Sequence, residues 1–289
     1  MYSVFFTHAT VSPLFRSLSR SLALTHAHIH IDIVRYGLFD SAADGGLINA
    51  VVGQLGVAVL AWDLPGMGAR QTEAHETFYR RYARGASRLG AMVGEVQSAL
   101  DFIRCAGTRG GGDAQCSDGS SHAGPYSALA VPTLDPQRVY LLGYSMGAIV
   151  GLHAAALINS SRIAGVAAFG GWTPFKENFG SVATGGNRFL YEKHALIPRL
   201  GLFRNESQLL YDYEELISSL APRPVLLHAP LRNRFAQPAA VAAAATGAAM
   251  AWEKAGASAD FTFVQPNATS DFKDAEIAAA LQWLERVLS

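Results

Sequence analysis

The sequence predicts an α/β protein with a mainly parallel sheet and helices on both of its faces. Short strand-like runs alternate with longer helical patterns along the chain. Several runs, such as 56–62, are continuously apolar, which is typical of strands buried on both faces of a parallel sheet. Turn-rich segments such as Asp63–Gly68 separate the two kinds of element.

The elements follow one another in a regular order. Strand-like composition is found at 28–36, 56–62, 138–143, 163–170, 225–229 and 261–264. Helical patterns are found at 43–54, 73–106, 148–157, 238–255 and 275–287. We expect one domain over 28–289, with a flexible glycine- and serine-rich insertion at 107–130 and an irregular, cap-like segment at 175–215.

Residues 1–27 are expected to form an N-terminal extension that contains no strand. The first 31 residues have no acidic side chain, carry Arg16 and Arg20, and have leucines at helical spacing. This pattern is typical of a mitochondrial targeting segment. The alternatives are a divergent extension or a wrongly assigned start. We expect an intracellular protein, located in the cytoplasm, with the mitochondrion as the alternative if the segment is a targeting signal.

Composition excludes several classes of partner. Lysine plus arginine and aspartate plus glutamate are 23 each, so the net charge is zero and nucleic acid is not an expected partner. No apolar stretch is long enough to span a membrane. Two cysteines, Cys105 and Cys116, cannot build a disulfide framework and are not at metal-ligand spacing. A reducing compartment and a chain without cofactor or metal are therefore expected, while the oligomeric state stays open.

One motif carries chemistry. Gly143–Gly147 reads G-x-S-x-G directly after a predicted buried strand and directly before a predicted helix, the context that a nucleophile elbow requires. The turn would lift the Ser145 hydroxyl above the sheet at a helix N-terminus, where N–H groups favour an oxyanion. Ser145 is thus the predicted nucleophile and the N–H of Met146 a predicted oxyanion donor.

Further stretches support the same interpretation. Asp135–Val139 reads D-P-x-R-V before the elbow, and Asp63–Gly68 reads D-x-P-G-x-G. Together with Tyr213–Val225 and the terminal Trp283-Leu284, these stretches resemble esterase-type members of the α/β-hydrolase superfamily, the acetyl xylan esterase and dienelactone hydrolase-like group. The resemblance runs from about residue 36 to the end.

The resemblance implies a second oxyanion donor and a base with its acid. The second donor matches Leu38, in a Tyr-Gly-Leu stretch where the superfamily usually has His-Gly. The position that resembles the acid holds Asn233, which cannot stabilise an imidazolium by charge. The base is expected in 266–272, where there is no histidine and Asp271 stands about where it should be.

Other histidines leave alternatives open. His228, at the end of its strand, could act as the base with Asp271 as the acid, although a buried and locally bonded histidine is the simpler interpretation. His153 is about two helical turns from Ser145 and is expected to be a packed histidine. His194 could reach the site only through the cap-like segment. A zinc site at His26, His28 and His30 has no recognisable fourth ligand.

Two functions follow from these patterns. The first is a serine hydrolase that attacks carboxylic esters or related small acyl substrates through Ser145. The alternative is a degenerate hydrolase-fold protein that binds a ligand or partner without turnover.

Aromatic residues in and near the irregular segment would either line the pocket of the protein or pack within that segment. They are Trp172, Phe175, Phe179, Phe189 and Tyr191.

Overall fold

A computed structural model describes residues 2–9, 46–65, 83–107, 134–178, 196–197, 200 and 209–289. The strands in these ranges are β1 (Tyr2–Ala9), β2 (Ala58–Asp63), β3 (Leu134–Tyr144), β4 (Gly165–Phe169), β5 (Val225–His228) and β6 (Phe261–Val264). The α-helices are α1 (Leu47–Ala50), α2 (Arg88–Gly107), α3 (Met146–Leu157), α4 (Phe175–Asn178), α5 (Tyr213–Ser218), α6 (Pro238–Lys254) and α7 (Asp274–Leu288). Helix α1 continues as one wider π-helical turn, Val51–Leu55, and short 3₁₀ turns occupy Ser160–Arg162 and Ser258–Asp260.

The described strands form one sheet in the order β2-β1-β3-β4-β5-β6. Strands β3 to β6 are parallel, whereas β1 is antiparallel to both of its neighbours, β2 and β3. The sheet is therefore mainly parallel, as predicted. Because β3, β4 and β5 run side by side, the register places Tyr144 beside Phe169 and Phe169 beside His228 at one edge.

The first strand corrects one expectation. We expected no strand in residues 1–27, but Tyr2–Ala9 forms β1 between β2 and β3. The segment reads YSVFFTHA, which is rich in aromatic and β-branched residues, and this composition favours a pleated strand. The stretch that follows it is basic and rich in serine, and this composition predicted a targeting segment in place of a strand. The predicted strand at 28–36 lies outside the described residues, and the domain boundary at residue 28 stays a prediction.

Each face of the sheet carries its own apolar core. One core lies beneath α2, α3, α5 and α6 and includes Val96, Ile149 and Trp252. The other lies beneath α1 and α7 and includes Leu47 and Trp283. Helix α3 is apolar around its whole circumference, because it is enclosed between the sheet and its neighbouring helices.

Asp212 joins the segment before α5 to the segment after β4 through hydrogen bonds. Its carboxylate accepts hydrogen bonds from the N–H groups of Phe175 and Lys176 at 2.7 and 2.8 Å, and from that of Tyr213 at 2.7 Å. One side chain thus caps the first turns of both α4 and α5.

Among the helices of the described part of the chain, none has the length and apolarity needed to cross a membrane.

Candidate active site

Ser145 occupies a strained turn between β3 and α3. Its φ and ψ are 56° and −114°, and among the described residues other than glycine it alone has a positive φ. Its N–H donates to the carbonyl of Phe169 at 2.9 Å, while its own carbonyl accepts from Ala148 and Ile149 in the first turn of α3. Such strain persists where the surrounding structure enforces it, as at functional sites.

Gly143 allows the sharp turn. A Cβ atom at this position would lie 2.2 Å from the carbonyl carbon and oxygen of Gly147 and 2.5 Å from the nitrogen of Ala148. Any side chain would therefore push β3 away from the start of α3. The packing supplies a steric reason for the first glycine of the motif.

A second pair of glycines supports the elbow from the next strand. Gly170 and Gly171 follow β4 with φ of 60° and 82°. A Cβ on Gly171 would lie between 2.1 and 2.4 Å from the carbonyl oxygen, carbonyl carbon and Cα of Ser145. The turn at 170–171 is therefore packed directly on the backbone of the predicted nucleophile, which the sequence motif alone did not reveal.

The N-terminus of α3 offers a hydrogen-bond donor at Ser145. The N–H of Met146 makes no hydrogen bond to the described residues, because it belongs to the first turn of a twelve-residue helix. It has the freedom that an oxyanion donor needs. Leu38, the predicted second donor, lies outside the described residues.

The loops after β5 and β6 run together as an extension of the sheet. The N–H groups of Leu231 and Arg232 donate to the carbonyls of Pro266 and Ala268 at 2.9 and 3.0 Å. Arg232 also forms a parallel bridge with Thr269, and its Nε donates to Asn267 Oδ1 at 2.9 Å. The loop predicted to carry the acid and the loop predicted to carry the base are therefore adjacent.

Asn233 lies buried in the first of these loops, with 6% of its surface exposed. Its Oδ1 accepts a hydrogen bond from the N–H of Phe235 at 3.0 Å. This bond fixes the orientation of the amide, so that Nδ2 lies 3.7 Å from the place where a Cβ of Gly170 would be. The described residues provide Nδ2 with no acceptor.

Ser270 is the side chain that the second loop brings to Gly170. Its Oγ lies 3.1 Å from the position that a Cβ atom on Gly170 would occupy. The Tyr144 hydroxyl, on the residue before the nucleophile, donates to the Ser270 carbonyl at 2.5 Å, and burial raises the pKa of Tyr144. Sequence reasoning missed Ser270 because a serine in a polar loop carries no distinguishing pattern. Ser270 lies two residues before the buried Phe272, and this spacing is the sequence feature that could have indicated Ser270.

His228 is directed toward the core beneath α7. Its ring packs on Phe169 with a centroid separation of 5.2 Å, and its Nε2 lies 3.9 Å from Oε1 of the buried Glu276. Burial lowers the pKa of His228, and the carboxylate of Glu276 opposes this effect only in part. Its Nδ1 is buried and has no hydrogen-bond partner among the described residues. Within the described residues, no hydrogen bond joins His228 to Ser145 or to Asp271.

Asp271 faces solvent instead of the buried histidine. Its side chain is half exposed and accepts hydrogen bonds from Thr269 at 3.0 Å and from Lys273 at 3.1 Å. The hydrogen bonds from Lys273 and Thr269 lower the pKa of this carboxyl. For His228 and Asp271 to act as base and acid, both would have to leave the contacts they make.

His153, the other described histidine that follows Ser145, contributes no base to the site. His153 is buried in α3, where Nδ1 contacts the Ile149 carbonyl at 2.8 Å and Nε2 contacts the Tyr211 hydroxyl at 2.9 Å. His194 and the spaced histidines near the N-terminus, His26, His28 and His30, lie outside the described residues. Across the ranges that the structure describes, no group of histidine, cysteine and acidic side chains could hold a metal ion.

Aromatic residues after β4 pack rather than line an opening. Trp172 and Phe175 are fully buried, and both rings contact Tyr213 of α5 with centroid separations of 5.4 and 5.1 Å. Phe179, Phe189 and Tyr191 lie outside the described residues.

Comparison with known proteins supports the same architecture. A family model described as phospholipase/carboxylesterase matches residues 122–195, about a quarter of the chain. No curated protein sequence matches the chain.

Solved structures of esterases share the fold at low sequence identity. A glucuronoyl esterase of carbohydrate esterase family 15 from Caldicellulosiruptor kristjansonii is 20% identical with a TM-score of 0.52, over 70% of this chain and 51% of that one. A glucuronoyl esterase from Solibacter usitatus is 13% identical with a TM-score of 0.52, over 71% and 50% of the two chains. A promiscuous esterase of family 15 from a marine bacterial metagenome is 16% identical with a TM-score of 0.56, over 79% and 57%.

These matches define the class of protein by its fold. The chain has the α/β-hydrolase fold, and the predicted resemblance to that superfamily is confirmed at this level. The chain spans about half the length of the esterase structures it matches.

Proposed function

We propose that the protein is a serine hydrolase that cleaves carboxylic esters or related small acyl substrates through Ser145. The observation that carries the proposal is the strained turn at Ser145, packed between Gly143 and Gly171 at the start of α3. A chain with no use for this serine would gain stability by relaxing the turn. The Met146 N–H would hold the oxyanion that forms when Ser145 attacks the carbonyl. The match to a phospholipase/carboxylesterase model supports the same reaction class.

The second candidate is a hydrolase-fold protein that binds a ligand without turnover. Two observations favour it. The neutral Asn233 stands where the resemblance implies the acid, and the loop 266–272, where it implies the base, has no histidine and brings the hydroxyl of Ser270 to Gly170. Neither group takes a proton from a serine hydroxyl near neutral pH. Under the first candidate the base would come from a residue outside the described ranges, such as His194, or from a rearranged His228 with Asp271 or Glu276 as its acid.

A covalent probe separates the two candidates. A fluorophosphonate reacts with a serine whose hydroxyl is activated, and we expect it to label wild-type protein but not Ser145→Ala. Ser161→Ala, which changes an exposed serine at the surface, serves as the control and should label like the wild type. Absence of labelling in folded wild-type protein would overturn the hydrolase proposal in favour of the binding protein.

A further inference from the structure

The loop that follows β5 exposes a mixture of apolar and basic side chains. Its exposed residues are Leu231, Arg232, Arg234 and Phe235, whereas Asn233 between them is buried. The exposed fraction is 40% for Leu231 and 39% for Phe235, which is high for large apolar residues. The 231–235 loop therefore turns one polar residue toward the protein and projects two apolar and two cationic side chains into solvent.

The two arginines of this loop have no acidic partner among the described residues. Arg232 donates from Nε to Asn267 Oδ1 at 2.9 Å, a neutral acceptor. Arg234 lies over the ring of Phe235, with 4.4 Å between the guanidinium carbon and the ring centroid. Neither side chain forms an ion pair within the described ranges, so both positive charges are available to an anionic partner.

The charge of this surface differs from that of the whole chain. Of the described residues in the adjoining loop after β6, only Asp271 carries a carboxylate, and Lys273 pairs with it at 3.1 Å. The two arginines are thus an excess of positive charge here, although the chain has 23 basic and 23 acidic residues. Positive charge beside exposed apolar side chains favours a partner that is both anionic and apolar.

Hydrogen bonds fix the backbone of the 231–235 loop. Most of its N–H groups donate to the adjoining loop or to neighbouring residues of the same loop. The donors are the N–H groups of Leu231, Arg232, Asn233, Phe235 and Ala236. A peptide strand would find few free backbone donors to pair with here. Side chains on a fixed backbone, by contrast, lose little conformational entropy when they bind.

We infer that the 231–235 loop docks on the headgroup region of an anionic lipid surface. Phosphate and carboxylate headgroups would accept hydrogen bonds from the two guanidinium groups, and Leu231 and Phe235 would enter the boundary between headgroups and acyl chains. An acidic polypeptide would engage the arginines without using both apolar side chains. The inference concerns a surface and not the reaction of Ser145, so it stands independently of the proposed function.

Vesicle sedimentation tests the inference with the full chain. Vesicles of phosphatidylcholine are compared with vesicles that contain about 30% phosphatidylserine, both at low ionic strength. We expect the partition coefficient for the anionic vesicles to be at least about tenfold higher than for the neutral ones. Equal partition coefficients, or no binding by folded wild-type protein, would overturn the inference.

Matched charge variants locate the contact. Arg234→Gln should lower the partition coefficient for anionic vesicles by about fivefold, and adding Arg232→Gln should bring the loss to at least about tenfold. Lys254→Gln removes one exposed charge at the other end of α6, about 25 Å away along the helix, and should change the coefficient by less than about twofold. Equal losses in Arg234→Gln and Lys254→Gln would reveal an effect of net charge and refute the inference.

Apolar variants separate a lipid surface from an acidic protein partner. Leu231→Ser with Phe235→Ser should lower the partition coefficient by at least about fivefold, because the contact with the acyl boundary is lost. Leu157→Ser makes the same kind of change at an exposed leucine that ends α3, and binding should stay unchanged. All variants alter exposed side chains and should stay folded, which urea unfolding checks. Undiminished binding by the Leu231→Ser, Phe235→Ser protein would assign the loop to an acidic polypeptide and overturn the lipid inference.

Discussion

The two sides of the candidate site differ in how closely they match the serine-hydrolase site that the sequence predicts. On the side of β3 and α3, the elbow has its strained serine, close glycine packing and helix N-terminus. On the side of β5 and β6, the loops are well formed and joined to each other, but the side chains that they bring to Gly170 are those of Asn233 and Ser270. The comparison teaches that backbone geometry and proton chemistry are encoded separately. Glycines and strand register maintain the first, whereas two side chains decide the second.

The largest expected effect comes from breaking the elbow at its support. Gly171→Ala places a Cβ within 2.1 Å of the Ser145 carbonyl oxygen at a residue whose φ is 82°. We expect the free energy of unfolding to fall by more than about 3 kcal/mol, or folding to be lost, since backbone atoms cannot give way as a side chain can. Urea unfolding measures the effect.

Gly94→Ala is the control for this prediction. Gly94 lies on the exposed side of α2, with nothing within 4 Å of its virtual Cβ. Alanine there should stabilise the protein by about 0.5–1 kcal/mol, because it favours the helix. A small and equal change in both variants would show that the 170–171 turn does not hold Ser145.

The next effect concerns acid stability on the elbow side. Burial lowers the pKa of His153 to about 4, against 6.5 in an unfolded chain. Between these values the unfolded chain binds a proton that the folded protein does not, so stability is full above pH 6.5 and falls as the pH drops toward 4. This histidine accounts for a loss of roughly 3 kcal/mol.

His153→Gln should remove that part of the pH dependence of unfolding. Tyr211→Phe is the control, because it deletes the partner of Nε2 but leaves the imidazole buried and titratable. An unchanged slope between pH 6.5 and 4 in His153→Gln would contradict the assignment. The pKa of His228 is also lowered by burial, so some acid sensitivity from the β5 side should remain.

Restoring the side of β5 and β6 gives an effect of intermediate size. The double substitution Asn233→Asp and Ser270→His supplies an acid and a base in the two loops whose side chains lie beside Gly170. A positioned general base contributes about 10²–10⁴-fold, so we expect hydrolysis of p-nitrophenyl acetate to rise by about 100-fold. The same double substitution with Ser145→Ala should show no rise. A gain that survives Ser145→Ala would mean that the introduced histidine attacks the ester by itself.

The smallest effect is expected at Asp271. Because this carboxylate is exposed and bonded to Lys273 and Thr269, Asp271→Asn should change the rate of ester hydrolysis by less than about twofold. Glu276→Gln, which alters the buried partner of His228, is the comparison. A large loss in Asp271→Asn would favour the arrangement of Ser145, His228 and Asp271.

Much of the fold follows from local patterns. Continuous apolar runs predicted β3, β4 and β5, because strands buried on both faces must be apolar throughout. Such a run also predicted β2, although this strand lies at one end of the described sheet and is only partly buried. The elbow was predictable for a related reason, since its glycines and serine are consecutive in the chain. Strand β1 was missed because the basic, serine-rich stretch that follows it indicated a targeting segment.

The sequence by itself determined the order of the elements from β2 onward, the glycine–serine pattern of the elbow and the absence of a histidine where the resemblance implies one. Only the tertiary structure decided that Gly171 supports Ser145, that Ser270 rather than Asp271 lies beside Gly170, and that His228 faces Glu276. The physical reason is distance along the chain. Ser145, Gly171, Asn233 and Ser270 come from four separate connections, and parallel strand pairing brings these to one edge of the sheet. Which side chain each loop turns inward depends on its hydrogen bonds and packing, and the linear pattern does not specify them.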